Sequence, residues 1–109
     1  FGSPPGFIGP VGVEVDVMLA GHNHIYHRWA PQDADGVRNA NGIRQFTIGT
    51  GGRSLYPLGK KPQPANLLAV QNKAFGVLQM TLHRDSYSYA WVGLPTDPAF
   101  RDRGTFDCR

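Results

Sequence analysis

The stretch "VMLAGHNHIYHR", residues 17–28, decides how this chain is read. A short apolar run ends at Gly21, and three histidines, His22, His24 and His27, follow within six residues; the whole chain holds four. Upstream, Val13, Val15 and Val17 alternate with Glu14 and Asp16 before the run turns wholly apolar. That is the pattern of a strand buried at its C-terminal end. In extended backbone, residues two apart share a side, so His22 and His24 are expected to face the same way. Two neutral imidazoles on one side can ligate one metal ion, or one each of a pair. Gly21 is expected to permit a sharp turn and a close backbone approach. Functional sites also gather at the C-terminal ends of strands in α/β sheets.

His27 stays open between three roles: third ligand of a mononuclear zinc site with His22 and His24, a group over the substrate, or a solvent-facing side chain. His83 closes a strand before a turn and reads as an ordinary surface histidine. Tyr26 and Trp29 either line a pocket beside the histidines or pack the loop on a sheet.

Outward from this stretch the chain alternates strands with long loops. Residues 1–12, "FGSPPGFIGPVG", form an irregular lead-in. The segment 29–41 is polar with turn chemistry at Asp35-Gly36 and Asn41-Gly42. Residues 43–49, "IRQFTIG", alternate as a strand and run into the glycine-rich "TGGRS". That turn could cradle a phosphate on backbone N–H groups, but it lacks the Gly-Lys-Ser/Thr ending of a nucleotide loop, and a tight turn after a buried strand is favoured. Residues 57–74 read as a loop in which "NLLAVQN" makes one or two helical turns. Residues 75–83 and 86–94 are the clearest strands, joined as a hairpin through Arg84 and Asp85. Tyr87, Tyr89 and Trp91 mark one face of the second. From 95 to 109 the chain reads as a loop-like tail.

With 109 residues, this is at most one domain or part of one. A net charge of +3 spread without long basic runs gives little support for nucleic acid as the main partner. No apolar segment approaches the ~20 residues of a membrane span. The single cysteine, Cys108, cannot form an internal disulfide. No signal peptide is seen, and because the chain opens on Phe1 rather than methionine the true N-terminus is expected to be missing from it.

Read in order, "DVMLAGHNHIYHR", "APQDADG" and "IRQFTIGTGGRSLY" resemble the C-terminal part of a calcineurin-like metallophosphoesterase, in particular bacterial relatives of the purple acid phosphatases. The resemblance rests on Gly21, His22, Asn23, His24, Tyr26 and Arg28, on Gly49, Thr50, Gly51 and Gly52, and on the final hairpin. It implies an α/β fold of which this chain is the strand-rich C-terminal part, a β-sandwich flanked by helices. It implies a dinuclear centre of iron, zinc or manganese, with His22 on one ion and His24 on the other. Asn23, Tyr26, His27 and Arg28 would then contact substrate or support the ligands. His27 stands where relatives often carry glutamate. The parent protein would hydrolyse phosphate esters with a metal-held hydroxide, and many such relatives are exported from the cytoplasm.

The same family needs an Asp-x-His pair, a bridging aspartate, an asparagine before a histidine, and one further histidine, all ahead of the Gly-His-x-His. Residues 1–21 offer only Glu14 and Asp16 as carboxylates. Two histidines fall far short of the four to six donors such ions take, so the chain alone is expected to bind metal weakly and to be inactive. The alternatives are a small β-rich module with zinc on His22, His24 and His27, or a fragment whose histidines only pack.

Overall fold

Tyr87, Tyr89 and Trp91 alternate with Ser86, Ser88, Ala90 and Val92, and the alternation sorts buried from open side chains along one strand. The computed structural model describes residues 15–95 and 100–108. The lead-in 1–12, together with Val13 and Glu14, lies outside the described residues. Seven strands are present: β1 Val17–Ala20, β2 Tyr26–Trp29, β3 Arg44–Ile48, β4 Leu67–Gln71, β5 Gly76–Leu82, β6 Ser86–Gly93 and β7 Arg103–Asp107.

The strands form two sheets, one of order β1-β3-β2-β4 and one of order β5-β6-β7. β5 and β6 make the expected hairpin, closed by the His83 N–H donating to the Ser86 carbonyl at 2.8 Å. The sheets pack through aromatic side chains. Tyr26 and Phe46 from the first meet Tyr87, Tyr89 and Trp91 from the second. Ring centroids lie 5.0 Å apart for Phe46 and Tyr89 and 6.2 Å for Tyr26 and Trp91, within the range of favourable aromatic pairs. Thr50 adds a polar tie: its hydroxyl donates to the Gly76 carbonyl at 2.9 Å and accepts from the Trp91 indole N–H at 3.4 Å.

Four expectations change. The "NLLAVQN" segment is strand β4, not helical turns, because β2 has an open edge beyond β3 and its backbone groups need partners. The tail is not all loop: β7 pairs antiparallel with β6 from Ser86↔Asp107 to Ala90↔Arg103. β1 is an edge strand rather than a buried one; Leu19 is 55% exposed and the other three residues are half-buried. The helices expected to flank the sandwich do not occur among the described residues, which are strands and loops throughout. Accordingly no described helix is long and apolar enough to cross a membrane.

One feature of the topology places the histidines. β1 and β3 run parallel, paired from Val17↔Arg44 to Ala20↔Thr47. Their C-terminal ends therefore leave the sheet on the same edge. The histidine loop after β1 and the glycine-rich loop after β3 emerge side by side.

Candidate metal-ligand site

The histidine loop is not extended. Asn23 N–H donates to the Gly21 carbonyl at 2.9 Å, and Ile25 N–H to the Asn23 carbonyl at 2.8 Å. These are two successive three-residue turns, centred on His22 and His24. His22 has φ of 73°, the one described non-glycine residue with positive φ. A residue held there carries strain of about 1–3 kcal/mol and persists only where its surroundings impose the conformation. Gly21, expected to supply the freedom, does not: a Cβ there would meet only the Ile48 carbonyl at an ordinary 3.8 Å.

What imposes the loop is the neighbouring strand end. Gly49 N–H donates to the Ile25 carbonyl at 3.0 Å, and the backbone of Asn23 lies directly against the Gly49 Cα. Any Cβ at 49 would overlap the Asn23 carbonyl group, so this contact requires glycine. Farther along the glycine-rich loop, Tyr56 N–H donates to the His24 carbonyl at 2.9 Å. Three successive carbonyls, of Asn23, His24 and Ile25, are thus engaged.

The His24 imidazole is oriented by the same loop. Its Nδ1 lies 2.7 Å from the Ser54 carbonyl. A carbonyl can only accept, so Nδ1 carries the hydrogen and Nε2 keeps its lone pair for a metal ion or a proton. A backbone carbonyl behind a ligating histidine is the usual support for one. The Tyr56 ring packs on the same imidazole with centroids 4.4 Å apart and planes 31° apart. His22, two residues earlier in the chain, is exposed.

The other candidates lie elsewhere. Tyr26 is fully buried, and its hydroxyl donates to Asp102 Oδ2 at 2.6 Å. Arg28 pairs with the same carboxylate, Nε to Oδ2 at 2.9 Å and Nη2 to Oδ1 at 3.2 Å. Both side chains therefore clasp β2 to the segment before β7, between the sheets. Burial first, then the bond to Asp102, pushes the Tyr26 hydroxyl far above its ordinary range. Burial works against the Arg28 charge, but Asp102 outweighs it and the guanidinium is held more firmly protonated. His27 packs edge-on to Trp29 with centroids 5.6 Å apart. Its Nδ1 and the Trp29 indole nitrogen are buried without a hydrogen-bond partner, and burial lowers the His27 pKa. Asn23 contributes its backbone to the two turns.

No three His, Cys, Asp or Glu side chains among the described residues converge to hold an ion. The three-histidine zinc arrangement is therefore not assembled: His27 stands in β2, while His22 and His24 occupy the loop before it. His83 bonds Ser88 Oγ at 3.2 Å, as an ordinary surface histidine would.

Sequence reasoning did not find Ser54, Tyr56, Gly49 in its steric role, or Asp102. Ser54 acts through a carbonyl that every residue carries, so its identity holds no signal. Asp102 is 76 residues from Tyr26 and sits in the expected loop tail. Comparison of the chain with protein-family models, curated proteins and solved structures returns no match.

Proposed function

We propose that this chain is the strand-rich part of a calcineurin-like metallophosphoesterase and carries two histidine ligands of its dinuclear centre, His22 and His24. The observation that carries the reading is the bond from His24 Nδ1 to the Ser54 carbonyl, which reserves Nε2 as a donor at the C-terminal edge of parallel strands β1 and β3. Metal ions held there would polarise a phosphate ester and activate water. His22 and His24 would each give one nitrogen, and the strained turn at His22 would hold its imidazole at the loop surface. Gly49 and the Tyr56 backbone would fix the loop. The remaining donors would come from outside this chain, which by itself would then bind metal weakly and turn over no ester.

Zinc titration followed through the imidazole resonances tests this. His22 and His24 should respond together, and His24→Ala should weaken the response of His22 while leaving His83 unchanged. Equal response of His83 and His24 would overturn the assignment.

A further inference from the structure

We propose that Tyr56 is the aromatic ledge of this site and selects phosphate esters whose leaving group carries a flat ring. The inference rests on the phosphoesterase reading and adds the substrate class to it. Tyr56 is held from both ends of its residue: its N–H donates to the His24 carbonyl at 2.9 Å, and its carbonyl accepts from Asn72 Nδ2 at 2.8 Å. Its ring lies against the His24 imidazole, yet the residue remains 41% exposed. Among the described residues, Tyr26, Phe46, Tyr87, Tyr89 and Trp91 are buried in the inter-sheet core. Tyr56 instead spends its backbone bonds on keeping a ring at the surface beside the candidate ligand. Arg53, exposed one residue before the carbonyl that holds His24, brings positive charge to the same loop.

A ring fixed in this way offers a flat, sequence-positioned surface whose ordering cost is already met in the free protein. A planar leaving group can stack on it while the phosphate lies toward the histidines and Arg53. A puckered ring of the same size presents the same charge and similar apolar area without a π-face. Stacking of this kind discriminates by about three- to tenfold in affinity.

The test compares phenyl phosphate with cyclohexyl phosphate on the zinc-titrated full chain, each followed by the Tyr56 ring and His24 resonances. Phenyl phosphate should bind about three- to tenfold more tightly. Tyr56→Leu should bring the two within about twofold, whereas Tyr56→Phe should keep the preference. Equal binding of the two esters, or binding of neither, overturns the proposal. So does a Tyr56→Leu protein that loses zinc affinity but keeps the preference, since the ring would then only brace His24. Zinc alone reports on the metal reading: silent His22 and His24 resonances with an intact phenyl preference would reject the metal and leave the ledge standing.

Discussion

Two glycines flanking the histidine loop separate two kinds of glycine requirement. At Gly49 the obstacle to a side chain is the Asn23 backbone, which cannot rotate away. At Gly21 there is room for a methyl group and no positive φ. Gly49→Ala should therefore destabilise the fold by about 1–3 kcal/mol through overpacking, and displace the His24 resonances. Gly21→Ala should shift the urea midpoint little. Equal midpoints for the two variants would mean that Gly49 does not seat the loop. His27 makes a second prediction at this scale. Burial keeps it neutral in the fold and lowers its pKa, while the unfolded chain titrates near the ordinary value of about 6.5. Below that pH the unfolded state takes up a proton that the folded state resists, so stability from this residue is complete above about pH 6.5 and declines as pH falls. Chemical denaturation at pH 7.5 and 5.5 should show a smaller loss for His27→Leu than for the parent chain.

An ionic clasp also joins β2 to the segment before β7. Asp102, just before β7, takes two bonds from Arg28 and one from Tyr26, both on β2. The Arg28 and Asp102 side chains are only 15% and 10% exposed. Removing the carboxylate leaves a guanidinium and a hydroxyl without their shared partner between the sheets. Asp102→Ala should cost about 3 kcal/mol, and the double change Arg28→Met with Asp102→Leu should cost less than that single one. A larger loss in the double variant would show that the pair itself stabilises the fold. The clasp also explains what was legible in the sequence. β5 and β6 could be read because their inward residues are apolar and alternate, and β3 because Phe46 and Ile48 alternate with polar Gln45 and Thr47 even though its inward Arg44 is charged. β2 could not, because its inward positions are Tyr26 and Arg28, and an arginine reads as solvent-facing until Asp102 is placed opposite. β4 was obscured by the unbroken run Leu67 to Val70, which carries no period. β7 was hidden by Gly104, which leaves Phe106 as its one large inward apolar residue. The histidine pair was legible as residue types, but its geometry was not. The turns at His22 and His24 are set by Gly49, Ser54 and Tyr56, all beyond the reach of local pattern.

At the scale of the whole molecule, the two sheets share one cluster of buried aromatics. The buried aromatics of β2 and β3 cover those of β6, so each sheet hides its apolar face against the other. The two sheets should therefore unfold together. The chain's two tryptophans report on this separately, because Trp29 stands on β2 in the first sheet and Trp91 on β6 in the second. In Trp29→Phe the fluorescence follows the second sheet, and in Trp91→Phe it follows the first. Each should change at the same urea concentration as the far-UV circular dichroism of that same variant. Trp91 is 5% exposed and also donates to Thr50, so Trp91→Phe should unfold at lower urea than Trp29→Phe, whose indole nitrogen has no partner to lose. A fluorescence change that precedes the dichroism in either variant would mean that one sheet opens first. The histidine loop is seated on β1 and β3 while Thr50, two residues past the end of β3, is tied to Gly76 and Trp91 of the second sheet. Loosening of that tie should therefore appear at the histidines as well. In native-state hydrogen exchange, the Gly49 and Tyr56 amides should be protected no longer than those of Tyr89 and Trp91, and Trp91→Phe should shorten all four together.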